Sequence, residues 1–306
     1  MAVCPRNSCA GGYGNCLDVK ITNQCNAACA FCIERGGYSP APDKTPTELA
    51  IATVSQKDFP TVLILGGEPT LYPGLIEYLQ LIRPYKKHIY MTTNGLLLHA
   101  LNLPALATLL NGVNISLHHY DPAVNDEILS GGPGKPKKVR TDLKLLRQAV
   151  DTLTRYGCPV RINCNLTRQG IHTDEDIRAM CFLATWLGAA SIRFTELQNA
   201  SDDDFIGADE FFDDLPEDPF TDGCEVTLPN QYGLPLQVIV KVTCGRVNCR
   251  KPPVTEQPVR TGVTRVLYPN GEVSRGWKTA RTDDCHTGGC HGPSMQTGGC
   301  HSDGCH

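Results

Sequence analysis

The stretch LDVKITNQCNAACAFC, from Leu17 to Cys32, sets an apolar, β-branched run directly before three cysteines spaced C-x3-C-x2-C. The run Leu17–Thr22 has the length and composition of a buried strand. Five similar runs follow: Thr61–Leu65, His88–Thr93, Val113–His118, Val160–Leu166 and Ser191–Leu197. Helical patterns lie between them, over Thr47–Ser55, Leu75–Ile82, Ala105–Leu110, Asp142–Tyr156 and Asp174–Leu187. In Asp142–Tyr156 one stripe is made by Leu143, Leu146, Ala149, Val150 and Leu153, and Gly157 follows where a helix-ending glycine belongs. Thr173 caps the last helix, with Asp174, Glu175 and Asp176 complementing its N-terminal dipole, and Gly188 closes it. Alternating strands and helices predict an α/β fold with a parallel sheet and right-handed crossovers. Six βα units are two short of a closed barrel, so the expectation is a partial (β/α)6 TIM-like barrel. Its active site belongs at the C-terminal strand ends, where Cys25, Cys29 and Cys32 stand.

Composition narrows the class. The chain has 306 residues, 41% of them hydrophobic, and a net charge of −4, so nothing points to nucleic acid or another polyanion. The longest apolar stretch, Leu96 to Leu110, is broken by His99, Asn102 and Pro104, which argues against a spanning helix. The first 16 residues contain no apolar signal region, so a cytoplasmic location is expected. Sixteen cysteines in a reducing compartment suggest metal or redox chemistry rather than disulfides. Cys158, Cys164 and Cys181 lie in apolar-periodic stretches and read as small core residues.

Structural zinc usually takes four Cys or His ligands, and a [4Fe–4S] cluster usually takes four thiolates. Three closely spaced thiolates fit a cluster with one iron left open. Zinc completed by Cys16 or a tail residue, and unligated thiols, remain alternatives at this stage. C-x3-C-x-aromatic-C after a first barrel strand resembles the radical S-adenosylmethionine (SAM) superfamily. The resemblance implies a fourth iron that chelates SAM. It also implies reductive cleavage of SAM to a 5′-deoxyadenosyl radical, and Phe31 beside the adenine. An electron from a reductase or flavodoxin-type donor is implied too.

Further motifs match in the same order. Gly66-Gly67-Glu68-Pro69 follows the second strand and resembles the family's GGE segment, which holds the methionyl amino group of SAM. Thr92-Thr93-Asn94-Gly95 ends the third strand like the family's TNG segment. By the same resemblance Thr93, Asn94, Ser116, Asn165 and Arg193 are expected near SAM. His118 and His119 end the fourth strand, so one of them is expected to face substrate. Asn163 and Asn165 alternate with Cys164 on the fifth strand, and Arg193 and Glu196 lie on the sixth. Buried polar groups there need partners. Cys164 is the candidate hydrogen-atom donor if its side chain turns inward.

Four units are expected: a Cys-containing segment (1–15), the barrel (16–200), an acidic linker (201–222) and a C-terminal extension (223–306). The linker carries ten acids and no Lys or Arg. The extension has β-like runs at Gln237–Val242 and Val263–Tyr268, then a Cys/His-rich tail that repeats C-H-x-x-G-C-H. Such tracts bind metal. The candidate second site comprises Cys244, Cys249, Cys285, Cys290, Cys300 and Cys305, for another Fe–S cluster or zinc; Cys4, Cys9 and Cys16 are further candidates to join it. Related enzymes carry an auxiliary cluster beside a β-hairpin resembling Tyr268–Gly276, but Gly276 stands in the expected Cys place. The C-x2-C-x13-C of the family that makes the molybdenum-cofactor pterin precursor is absent here, which disfavours that activity. The expected function is radical SAM tailoring of a small natural product, with peptide maturation as the alternative and a non-catalytic metal carrier as a distant one.

Overall fold

The computed structural model describes residues 15–32, 43–136, 139–197, 206–212, 225–228, 231–241 and 264–274. Ten strands form one sheet in the order β10-β9-β1-β2-β3-β4-β5-β6-β8-β7. The six expected strands are β1 (Cys16–Lys20), β2 (Thr61–Leu65), β3 (His88–Thr93), β4 (Gly112–Ser116), β5 (Val160–Asn165) and β6 (Ser191–Thr195). They pair in sequence order and all in parallel. The remaining strands are β7 (Glu225–Leu228), β8 (Gln237–Lys241), β9 (Thr264–Leu267) and β10 (Val273–Ser274). β8 extends the sheet beyond β6 and β9 extends it beyond β1, both in parallel. Antiparallel β7 and β10 finish the two edges. The described C-terminal residues therefore join the barrel sheet at its two ends instead of forming a sheet of their own. The expected hairpin is the β9–β10 turn, where Gly271 adopts a φ of +84°.

The crossovers are α1 (Pro46–Ser55), α2 (Leu75–Ile82), α3 (Leu103–Leu109), α4 (Pro122–Leu129), α5 (Leu143–Arg155) and α6 (Asp174–Leu187). Thr173 and Asp176 form the capping box of α6, and Gly188 ends it at a φ of +85°. Sequence reading missed α4, although its signal was present. Asp121 caps it by accepting from the Ala123 N–H at 2.8 Å, and Pro122 occupies its first turn.

Alternation sorts the strands into two faces. Val19, Val62, Ile64, Ile89, Met91, Val113, Ile115, Val160, Ile162, Ile192, Phe194 and Val240 are buried in one continuous apolar core with the helices. Fully burying such a side chain stabilises the fold by roughly 1.5–3 kcal/mol. The opposite, inner face carries Lys20, Asn114, Ser116, Arg161, Asn163, Asn165, Arg193, Thr195 and Lys241, following the alternation and in-register pairing. No described helix is long and apolar enough to cross a membrane.

Candidate active site

The cysteine loop leaves β1 at its C-terminal end and is fastened from four sides. From β2, the Gly67 N–H donates to the Thr22 carbonyl at 2.9 Å and the Glu68 N–H to the Gln24 carbonyl at 2.7 Å. Gly67 has no alternative here, because a Cβ would stand 2.1 Å from the Gln24 carbonyl oxygen. From β3, the Asn94 side-chain amide donates to Asn26 Oδ1 at 2.7 Å. From α4, the Leu129 carbonyl accepts from the Ala28 N–H at 2.7 Å. From β4, the His118 ring meets the Phe31 ring edge-on, with centroids 4.8 Å apart. Asp43 completes the frame by accepting from the Thr22 hydroxyl and the Asn23 N–H.

Glu68 is buried beneath this loop. Its Oε1 accepts from the Thr70 N–H at 3.0 Å, the Thr70 hydroxyl at 2.7 Å and the Thr93 hydroxyl at 2.6 Å. Its Oε2 accepts from the Asn94 N–H at 2.7 Å. Among the described residues Oε1 thus takes three donors and Oε2 one, so Oε2 is the less saturated of the two oxygens. Thr93 and Asn94, expected as direct cofactor contacts, instead commit these groups to Glu68 and the loop. Asn94 Oδ1 also accepts from the Leu96 N–H at 3.1 Å. Pro69 is buried at the start of a short 3-10 turn, and its carbonyl accepts from the Tyr72 N–H. It shapes the Glu68 turn.

Cys25 and Cys32 are exposed and Cys29 is half-buried, and none of the three is in a disulfide. Partial burial pushes the Cys25 thiol up; the Ala27 N–H that meets its sulfur at 3.4 Å pulls it down, and the negative charges of Glu68 and Cys32 push it up again. Among the described residues no group of three or more His, Cys, Asp or Glu side chains converges on a single-ion point. A zinc site would need that, since Zn–S bonds of about 2.3 Å bring sulfurs to within ~4 Å of each other. One thiolate per iron of a cubane needs no such convergence. Three accessible thiols on one fastened loop match the three-thiolate set of a cluster with one open iron. Cys16 cannot complete a site with them. It is buried at the N-terminal end of β1, the far end of a strand that rises about 3.3 Å per residue.

The inner face opposite the loop carries three of the expected residues in one register row, Ser116–Asn163–Arg193, continued by Ile239. One step nearer the loop lies a second row, Asn165–Thr195–Lys241. His118 joins it, because its Nδ1 accepts the Asn165 N–H at 3.2 Å. An accepting Nδ1 on a neutral ring puts the proton on Nε2. Burial holds His118 down at about 4, so the ring is neutral at pH 7. His119 turns the other way. Its Nδ1 accepts from the Asp121 N–H at 2.9 Å and its ring stacks on Tyr120. Of the two histidines only His118 reaches the site.

Two expectations fail on strand parity. Cys164 is fully buried on the core face near Cys181 of α6, and burial above all raises its thiol well above the ordinary range. It cannot deliver a hydrogen atom to the inner face. Glu196 lies beyond β6 and accepts from the Ala208 N–H at 2.9 Å, on the side opposite Arg193. The expected second-site cysteines, Cys244, Cys249, Cys285, Cys290, Cys300 and Cys305, fall outside the described residues, as do Cys4 and Cys9. Sequence reading missed Asn26 and Thr70, which carry local hydrogen bonds with no pattern of their own. It also missed Thr195 and Lys241, which the two-residue period of β6 and β8 would have found.

A parallel open barrel with three cysteines after its first strand and a buried glutamate after its second defines a class, and the sequence match agrees. Residues 19–184 match the radical SAM superfamily, and the chain belongs to it. It is an enzyme of the family that works with a [4Fe–4S] cluster and SAM. Among curated relatives, a probable GTP 3′,8-cyclase of Thermococcus kodakarensis is 30% identical over 162 residues, 52% of this chain and 50% of that protein. The GTP 3′,8-cyclase of Alkaliphilus oremlandii is 29% identical over 205 residues, 64% of this chain and 60% of that protein. The chain thus spans about half the length of the first of these relatives. Among solved structures, SuiB of Streptococcus suis shares the fold at a TM-score of 0.56 and 17% identity, covering 86% of this chain and 60% of that one.

Proposed function

We propose that Cys25, Cys29 and Cys32 ligate three irons of a [4Fe–4S] cluster and that Glu68 receives the amino group of SAM. When bound and reduced, the pair supplies the radical that takes a hydrogen atom from substrate. The observation that carries this reading is the Glu68 carboxylate. Four donors fix it under the cysteine loop, three on Oε1 and one on Oε2, which makes Oε2 the oxygen to meet an ammonium donor. Charge-assisted hydrogen bonds of that kind are about twice as strong as neutral ones. Phe31, held edge-on by His118, offers an apolar ring for the adenine. Ser116, Asn165 and Arg193 form the polar wall for the ribose and carboxylate. The loop fastening keeps the three sulfurs in place.

The substrate on this reading is a small polar molecule. The relatives named GTP 3′,8-cyclase act, by that name, on a nucleotide, which supports a small-molecule substrate over a peptide. The cysteines that follow the barrel here are spaced differently from C-x2-C-x13-C, so we assign a different product. The electron comes from a reductase or flavodoxin-type donor. The C-terminal cysteines are proposed to hold a second metal centre, and residues 201–222 to act as a linker.

Iron, sulfide and SAM cleavage test this together, in wild type and in a Cys25/Cys29/Cys32→Ala variant. About four irons per chain, one per vertex of a cubane, should fall to none, with SAM cleavage lost. About eight falling to about four would locate the second centre. Iron unaffected by the triple change would overturn the assignment.

A further inference from the structure

The β6–β8 end of the inner face has the makings of a second ligand position. Lys241 is 9% exposed, and its ammonium has no ion-pair or hydrogen-bond partner among the described residues. Its register neighbour on β6 is Thr195, whose Oγ1 is buried without a hydrogen-bond partner. Asn163 Oδ1, one row lower, is likewise buried and unpartnered. A buried polar atom in that condition is destabilising, so a wall of them is kept where a ligand or water completes it. Alternation turns Lys241 with Ile239 to the inner face, since Val240 is in the helix-side core. Being the last residue of a strand parallel to β6, Lys241 lies on the same rim as the cysteine loop.

We propose that Lys241 and Thr195 form an anion-binding subsite, and that the enzyme's substrate carries a carboxylate or a phosphate. The inference rests on the reading above only for where SAM lies. Of the proposed SAM wall, Ser116 and Asn165 are on β4 and β5, and Arg193 is on β6, one register row below Thr195. Lys241 on β8 lies two strands beyond Asn165, about 10 Å at the usual strand spacing, and one strand and one row beyond Arg193, about 8 Å, which places it on the far side of that wall for the second ligand. A Lys ammonium is a compact point charge that accepts either anion, and the threonine hydroxyl donates to it. The ring of His118, against Phe31, stands one strand further from Lys241 than Asn165 does, about 14 Å along the sheet. The substrate is thus long enough to reach the radical source with one end while its anion is held at the other. Glu225 of β7 pairs in register with Lys241, so its substitution serves as the control for the test.

Equilibrium dialysis on the full-length, cluster-loaded, SAM-saturated protein tests the subsite, with pyrophosphate and succinate as probes. One probe should bind saturably, and which one does identifies the anion as phosphate or carboxylate. Lys241→Gln should weaken it about tenfold or more and Thr195→Val about threefold, as loss of a charged and a neutral hydrogen bond respectively would. Glu225→Gln should leave binding unchanged or tighter. Lys241→Met keeps the stem without the charge and replaces the Gln variant should that fail to fold. SAM binding, measured in parallel, should be the same in every variant. The proposal is overturned by no saturable probe in wild type, by full binding after loss of the lysine charge, by a Glu225→Gln loss equal to that of Lys241→Gln, or by loss of SAM binding with Lys241. Failure of iron loading or of SAM cleavage in wild type would instead count against the radical SAM assignments. The two failures are therefore separable.

Discussion

The β1–β3 half and the β4–β8 half of the sheet's upper rim treat their polar groups in opposite ways. In the first half the donors around Glu68 meet acceptors of the same chain. Glu68 takes four donors, Thr93 both donates to Glu68 and accepts from the Gly95 N–H, and Asn94 ties β3 to the cysteine loop. In the second half Asn163 Oδ1 and Thr195 Oγ1 are buried without hydrogen-bond partners. The Asn114 amide reaches only Thr92, and its Oδ1 is also unpartnered. The difference separates two tasks. The first half holds the chain's own loop in a fixed shape. The second leaves its hydrogen-bonding groups for molecules that come and go.

The largest effect should come from breaking the saturated half. Glu68→Gln replaces one carboxylate oxygen with an NH2 that faces existing donors. Hydrogen bonds to a charged group contribute about 1.5–3 kcal/mol each, and a buried mismatch adds its own penalty. The apoprotein should lose about 3 kcal/mol of stability in urea titration, and SAM binding should disappear with it. A variant as stable as wild type would mean that the four donors do not hold the loop, and the contrast between the halves would weaken.

His118 stands at the boundary, and its effect is smaller and depends on pH. Burial holds the folded ring at about 4, while an unfolded histidine titrates near 6.5. Between those values the unfolded chain binds a proton that the folded chain refuses, so stability is present above about 6.5 and falls as pH drops toward 4. By pH 5 the loss from His118 alone is about 2 kcal/mol. His88 and His119 are also lowered, chiefly by burial, and act with the same sign. The measurement is therefore a difference: the urea midpoints of wild type and His118→Gln at pH 7.5 and pH 5. The wild type should lose more than the variant. Equal losses would mean that the ring is hydrated and not locked between Phe31 and β5.

These two regions also differ in how far the sequence disclosed them. Strand positions were legible because runs such as TVLIL can only be buried, and β2 and β3 fall where expected. The inner face was legible in kind but not in detail. Alternation alone decides that Asn163 and Asn165 share a face which Cys164 lacks, yet it cannot say which face packs on the helices. Paired strands supply that answer, because Ile162, Phe194 and Val240 all lie in the core. The roles of Thr93 and Asn94 were not legible, since hydrogen bonds between residues 25 and 68 positions apart leave no local pattern. Nor was the joining of β8 and β9 to opposite ends of one sheet, which depends on contacts far apart in the chain.

The smallest predicted effect makes the sharpest comparison, because one substitution can be placed in each half. Thr→Val removes a hydroxyl and keeps the branched shape. At Thr93 that hydroxyl donates to Glu68 at 2.6 Å and accepts from the Gly95 N–H at 3.0 Å. Its loss leaves a buried carboxylate short of one donor and a buried N–H without its acceptor, which should cost the apoprotein about 2 kcal/mol. At Thr195 the hydroxyl has no partner to lose. Deleting it removes a desolvation penalty, so stability should stay level or rise by up to about 1 kcal/mol. Urea midpoints of the two variants beside wild type decide the matter. Opposite signs are expected, and they would mean that the orphaned groups of the β4–β8 half do not stabilise the fold by themselves. A Thr195→Val loss as large as that of Thr93→Val would mean that a structural water or a neighbouring segment already satisfies the hydroxyl, and the second half would then be as self-contained as the first.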